Sequence, residues 1–460
     1  MPAEFGLPMA TFLVIGSMVG VGVLTTSGYT MALVGSTRYM LLLWAAGGIV
    51  AICGALTLAE LTAALPHTGG DYVYLHHAYG PLVAFLSGWV AFLIGFSGPC
   101  AAAAFASAKY VLAPFAIQGD RAVLAQRTLA TAAVIGFATI HVSGRRRTAR
   151  VQGLVTGLKV SLLGLLVTWG VAAGWPHRSN LNDPRPVDLT TAEAMLFSLV
   201  YIYYAYTGWN GASYLAGEIR EPRRNLPRAI LGGTGGVMIL YLGLNAVYGL
   251  AVTPAELRAM ADDPGNPEGP DVVAHVAEIA ARRLFGPAWS APLSVAIGLM
   301  LLSTLSAYLL AGPRVVYAMA KAGHFPAIAA GLSPSAGTPV AATALQVAAA
   351  LVLLWTGSFE WIVVYASVGL SLFSMLAMSS IFVLRWKAPG LHRPFRTPGY
   401  PLTPLVYLVM TAALAAAAFR QRPAVSAEAL ASILAGVPVY YMMKRARGRR
   451  GPEAGGPTAP

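Results

Sequence analysis

The sequence predicts an all-α integral membrane protein of twelve transmembrane helices, and three observations carry that prediction. Of its 460 residues 57% are apolar and only 11% charged, against about a quarter charged in soluble domains. Apolar stretches near the roughly 20 residues that a helix needs to cross the hydrocarbon core recur almost from end to end. These runs are continuous rather than alternating, which excludes a β-barrel.

In chain order the spans fall at 8–33, 39–64, 81–113, 125–142, 151–175, 191–217, 228–252, 289–320, 339–357, 360–386, 402–420 and 425–443. Gly and Pro interrupt several of them, which is tolerated where neighbouring helices satisfy the freed backbone groups. No basic segment precedes the first apolar run and no small-residue cleavage site follows it, so no removable signal peptide is expected. Cys53 and Cys100 lie inside spans and read as small apolar residues; neither a disulfide framework nor a metal site is implied.

The net charge is +13, and its distribution matters more than its sum. Nineteen of the 31 Lys and Arg fall on the face that holds both termini, eleven on the other, and Lys159 lies between. That bias places both termini in the cytoplasm. A basic cytoplasmic fringe orients the chain and meets anionic lipid, so the bilayer rather than nucleic acid is the expected partner.

The longest stretch between spans, 253–288, falls outside. Within it Val272, Val273, Val276, Ile279 and Leu284 share a helical face, which predicts a short helix lying across the outer surface. The tail 444–460 is basic, then rich in Gly and Pro, and is expected to be disordered.

Two spans carry interruptions at mid-membrane. The first, IGSMVGVGVLTTSG, places Gly16, Gly20 and Gly22 within seven residues; the sixth, YYAYTGWNGASYLAG, places Gly208 and Gly211 around Trp209 and Asn210. The sixth span comes five spans after the first, so the second break runs opposite to the first. Matching interruptions in antiparallel halves are the signature of an inverted-repeat transporter with its substrate at the breaks. Close helix packing through small residues is the plainer reading of the first motif alone, but it gives no reason for recurrence in the inverted position. Unwound backbone at that depth must line a cavity. A half-helix that begins at a break offers amides and a positive dipole end to a carboxylate, and one that ends there offers carbonyls to an ammonium. An α-amino acid carries both charges.

At these residues the sequence resembles the amino acid-polyamine-organocation superfamily, and within it the L-type-like and related bacterial amino acid permeases. GSMVGVGVL is similar to the family's Gly-Ser-x-Ile-Gly-Ser-Gly-Ile-Phe pattern, and ELTAALPHTGGDYVYLHHAYG to its acidic, Pro, Gly-Gly-x-Tyr cytoplasmic segment. YYAYTGWNGASYLAGEIREPRRNLPRAI, GPRVVYAMAKAGHFP and RPFRTPGYP supply three further matches in order. The resemblance implies a five-plus-five inverted repeat of the LeuT type with two additional C-terminal helices: repeats at 1–175 and 191–386, the extra helices within 387–443, and alternating access. It implies that Val21 and Gly22 amides meet the substrate carboxylate, with Gly20 giving room, and that carbonyls of Met18, Tyr204, Ala205 and Thr207 meet the ammonium. Val21 stands where the family usually has Ser or Thr, Leu24 where it has Phe, and Tyr204 replaces the usual Phe of the gate. A side-chain hydroxyl on the carboxylate is therefore missing.

Lys159 lies nine residues beyond Arg150, about 13 Å along a helix and near the middle of the core. A lysine there is costly unless paired, or else snorkels to the cytoplasm. The resemblance implies the first role, because sodium-independent members carry a lysine where sodium-dependent relatives of the fold bind sodium. Its ammonium would join carbonyls near Ile15 to a hydroxyl of the eighth span, Thr304 or Ser303. Sodium coupling is then disfavoured, leaving proton coupling or exchange.

Glu60, Glu193, Glu218 and Glu360 all fall near span ends, and Asp71 with His67, His76 and His77 reads as part of a cytoplasmic loop. A cationic side chain would find no buried carboxylate, so a neutral amino acid is the expected substrate, with a cationic amino acid or polyamine as the alternative. No nucleophile with a base and no His/Glu metal spacing lies within the spans, so neither an enzyme nor a cofactor is expected. A non-transporting amino acid sensor is the other alternative. Eukaryotic exchangers of the family that the sequence resembles pair with a single-span partner through an external cysteine; neither cysteine here is external, so the resemblance implies no obligatory heavy-chain partner.

Overall fold

A computed structural model describes residues 4–115, 117, 119–181, 189–263, 269–356, 359–421 and 423–448. Among them the chain is helical throughout and the strand pattern is limited to one isolated bridge, Phe5 with Ile219. The first expected span is two helices, α1 (Leu7–Met18) and α2 (Gly22–Val34), bent by 42° across residues 19–21. α3 (Thr37–Ala64) follows, then α4 (Asp71–Tyr79), a short helix where the sequence suggested only a loop. The third span is α5 (Pro81–Val90) and α6 (Ser97–Leu112), joined by a π-helical turn, Ala91–Phe96. α7 (Asp120–Val142) and α8 (Arg145–Gly174) complete the first half.

α9 (Leu189–Tyr206) ends at residues 207–210, after which the chain runs on as a 3-10 helix, Gly211–Glu218. Then come α10 (Pro222–Ala251), α11 (Pro254–Ala261), α12 (Val276–Phe285), α13 (Ser290–Lys321), α14 (Val340–Thr356), α15 (Phe359–Lys387), α16 (Leu402–Gln421) and α17 (Pro423–Gly448). Among the described residues eight helices are long and apolar enough to cross a membrane, or nine if the bent pair α1/α2 is one span; α14 and the apolar part of α16 are shorter. Leu42, Ile49, Leu154, Leu165, Ile239 and Val352 point outward. Such a belt of exposed aliphatic side chains suits lipid and would be a liability in water.

The packing puts the breaks at the centre. α1 lies against α8, α10 and α13, and α2 against α9, so both interrupted stretches are covered by protein rather than lipid. α16 packs on α3 and α15, and α17 on α5 and α15, at the edge of the bundle. The outer segment differs from its expectation. Rather than lying on the surface, it docks onto α2: Val273 and Val276 are buried and crowd Gly28, where any side chain would collide with the Val273 carbonyl. α11 was not legible from apolar periodicity; its start is fixed by a capping box, Thr253 with Glu256. Residues 264–268 of this segment and 449–460 of the tail lie outside the described residues, as does the side chain of Glu360.

Candidate functional site

The two breaks touch each other. A Cβ on Gly22 would stand 2.8 Å from Ala205 Cα, and one on Gly208 would stand 2.6 Å from the Ser17 carbonyl oxygen. Gly208 also has φ +102°, a conformation that side chains rarely adopt. Glycine at these positions thus serves close backbone approach rather than helix packing.

Residues 19–21 leave the helical path, so the first amides of α2 have no carbonyl of a preceding turn ahead of them. Met18, Gly20, Val21, Gly22, Tyr204, Ala205 and Thr207 line one cavity together with Thr304. Its far wall is Pro99, Ala102 and Ala103 of α6, with Tyr308 of α13. No ionisable carboxylate, lysine, arginine or histidine is among these residues. The site is therefore backbone amides and carbonyls facing small apolar side chains. Such an arrangement suits a zwitterion with a short uncharged side chain.

The carbonyls at the breaks are partly engaged already. Met18 O accepts from Gly20 N at 2.9 Å, and Tyr204 O from Thr207 N at 3.1 Å and Thr207 Oγ1 at 2.7 Å. Tyr241 Oη lies 2.9 Å from Met18 O and 3.0 Å from Ala205 O, so one hydroxyl straddles both breaks. Tyr308 Oη donates to Ser17 O at 3.1 Å. Sequence reasoning missed both tyrosines, because a tyrosine within an apolar helix looks like any other core aromatic.

Lys159 is fully buried on α8. Its Nζ donates to Val19 O at 2.5 Å, to Thr304 Oγ1 at 2.7 Å and, more distantly, to Gly16 O at 3.4 Å. Three acceptors match the three N–H bonds of an ammonium. The partners differ in detail from the expected ones. Ile15 O is taken by Val19 N at 2.9 Å, since α1 is still helical there, and the lysine reaches the carbonyl freed beyond it. Ser303 Oγ pairs instead with Thr156 Oγ1 at 2.9 Å. Thr304 Oγ1 also donates to Val19 O at 2.7 Å, so α8, α13 and the first break meet at one carbonyl.

A second cavity adjoins the first and shares Thr207 and Tyr308 with it. The π-helical turn contributes Ala91, Gly95 and Phe96 to its wall. Its floor holds Asp71, which is buried rather than in an open loop: Gly69 and Gly70, both at positive φ, turn the chain back so that α4 packs inward. The sequence expectation of no buried carboxylate fails at this residue, and also at Glu60 and Glu218, which are buried in ion pairs. Below it Glu218 pairs with Arg314 at 2.9 Å, both side chains buried, and the Glu218 carbonyl accepts from Glu4 N and Phe5 N. Glu60 accepts from Arg385 Nη2 at 2.7 Å and from Thr397 N at 2.7 Å. These contacts close the face that holds the N-terminus. Among the described residues no group of three or more His, Cys, Asp or Glu could hold a metal ion, and Cys53 and Cys100 are free thiols.

Comparison with known proteins agrees with this architecture. A family described as Amino acid permease matches residues 5–440. The chain is similar to Asc-type amino acid transporter 1 of Mus musculus, 30% identical over 95% of this chain and 81% of that protein. It is 29% identical to the Large neutral amino acids transporter small subunit 2 of Homo sapiens, over 95% and 80% of the two chains. The Serine/threonine exchanger SteT of Bacillus subtilis (strain 168) is 29% identical over 96% of this chain and 97% of its own length.

Proposed function

The chain belongs to the amino acid permease family, and on that premise we propose that it is a sodium-independent secondary transporter of small neutral amino acids. It is a multi-pass membrane protein, and in this reading it crosses a cytoplasmic membrane twelve times with both termini inside. The spans form two inverted repeats of five, at 1–175 and 191–386, followed by two additional helices. The substrate carboxylate sits on the Val21 and Gly22 amides with Gly20 giving room, and its ammonium on carbonyls of Met18, Tyr204, Ala205 and Thr207. The single observation that carries this reading is the convergence of both breaks on one cavity whose other wall is Pro99, Ala102 and Ala103. That wall leaves space for a short side chain and offers no charge to a long one.

Lys159 with Thr304 takes the place that a bound sodium ion would need, tying the first break to α8 and α13. The relatives named as transporters and as a serine/threonine exchanger favour a substrate of that size and polarity. Two of those relatives' names differ in one respect that bears on assembly: one is called a small subunit, whereas SteT is named as an exchanger alone. With both cysteines inside the bundle, this chain works alone.

The test is uptake of labelled amino acids into liposomes, with pH and sodium gradients imposed separately. Alanine, serine and threonine are expected to enter by exchange or on a proton gradient, and a sodium gradient to have no effect. Sodium-driven uptake, or uptake of cationic amino acids alone, would overturn the proposal. Binding without counterflow would identify a sensor instead.

A further inference from the structure

We propose that Asp71 forms a second, transient site for the substrate's ammonium group, occupied as the substrate leaves the breaks towards the face that carries α4. That face is the cytoplasmic one in the orientation given above, and the inference rests on the permease reading.

The second cavity spans ≈ 740 Å³ of space between side chains, part of it open to solvent. It is bounded by Ser17 in the last turn of α1 and by residues 207–211 at the second break, and it shares Thr207 and Tyr308 with the first cavity, so a substrate leaving the first can pass into it. Asp71 is 7% exposed and fixed through one oxygen only: Oδ2 accepts from Asn210 Nδ2 at 3.0 Å and from Tyr214 Oη at 3.0 Å. Among the described residues Oδ1 has no hydrogen-bond partner. No lysine, arginine or histidine lines the cavity.

A buried carboxylate oxygen without a donor is expensive to maintain. The group that would satisfy it must be small, cationic and rich in N–H. The substrate's ammonium answers that description and arrives through the adjoining cavity. The aromatic rings of Phe96, Trp209 and Tyr203 also line this cavity, and aromatic lining favours a cation further. A carboxylate approaching Asp71 would be repelled. The second site therefore reads the ammonium alone, whereas the first reads both ends of the zwitterion.

The test uses the full chain in liposomes with each face addressed separately. A primary amine that keeps the substrate's side chain but lacks its carboxylate is expected to inhibit from the cytoplasmic face and to have no effect from the outside. Asp71→Asn keeps an acceptor for Asn210 and Tyr214, and is expected to raise KM on the cytoplasmic face by about tenfold, the worth of one charge-assisted hydrogen bond. Tyr214→Phe, which retains the carboxylate, should keep the inhibition by amine. Equal inhibition from both faces, or none from either, overturns the proposal, and does so in the unmodified protein. An equal rise in KM on both faces for Asp71→Asn would make Asp71 a positioning residue only. Protection by sodium or potassium against the amine would assign the cavity to an inorganic cation. Failure of the unmodified protein to transport any amino acid would defeat the permease reading itself and this proposal with it.

Discussion

Replacing Lys159 by methionine separates the transport role of this side chain from any role in folding. Methionine keeps the length and the apolar stem and removes the hydrogen bonds to Val19 O and Thr304 Oγ1, at 2.5 and 2.7 Å. Each hydrogen bond to a charged group is worth about 1.5–3 kcal/mol, so α8 loses roughly 3–6 kcal/mol of gross attachment, half of it to the first break and half to α13. Part survives, because Thr304 Oγ1 still donates to Val19 O at 2.7 Å. A residual loss near 2.7 kcal/mol corresponds to about a hundredfold lower transport rate. Stability moves the other way. Lys159 is fully buried and, among the described residues, makes no salt bridge, so the methionine variant is relieved of a desolvation cost of several kcal/mol. The expected outcome is a melting temperature in detergent equal to or above that of the unmodified protein, with counterflow reduced about a hundredfold. A variant that transports at the normal rate would refute the tether. So would a loss of transport that merely tracks a loss of folded protein.

Three further outcomes follow from the same geometry. Gly22→Ala places a methyl 2.8 Å from Ala205 Cα, and Gly208→Ala combines a contact with Ser17 O and a φ of +102°; each should lower substrate affinity at least about tenfold, measured by scintillation proximity binding. Glu218→Gln leaves Arg314 buried without its partner, which costs about 3–5 kcal/mol and should show as a marked fall in melting temperature and as leak through the N-terminal face. Burial first, then His77 and Arg223, lowers the His67 imidazole below its usual value, and burial and His77 do the same to His76. The packed loop thus holds both neutral, and the stability this gives is present above about pH 6.5 and lost as pH falls below it, where the opened loop takes up protons more readily. Protection factors over residues 67–77, corrected for the pH dependence of intrinsic exchange, should fall between pH 7.5 and 5.5, and should fall less steeply in His67→Gln.

Much of this site was legible in the sequence because glycine declares backbone need. Gly20, Gly22 and Gly208 mark where the chain leaves the helix; the first two line one cavity and Gly208 lines the cavity that adjoins it. The depth of Lys159 could be counted from Arg150, but its acceptors could not: whether Ile15 or Val19 offers a free carbonyl depends on the residue at which α1 stops. Asp71 was misplaced for a related reason. An acidic residue after two glycines has the composition of an exposed turn, and only the positive φ angles of Gly69 and Gly70 fold α4 into the bundle and bury it. The π-helical turn Ala91–Phe96 left no pattern to read, because one extra residue per turn shifts the apolar face without changing its composition. Tyr241, whose hydroxyl straddles both breaks, sits in a helix where the next tyrosine, Tyr248, has no such part.

The central claim is that two breaks in one bundle grip the two ends of a small amino acid. The most direct measurement is a structure of the protein with bound alanine or serine at a resolution that places the ligand's carboxylate. The carboxylate oxygens are expected about 3 Å from the Val21 and Gly22 nitrogens, with the ammonium facing the carbonyls of Met18 and of the end of α9. A ligand held elsewhere, or density over residues 19–21 and 207–210 showing continuous helices, would contradict it.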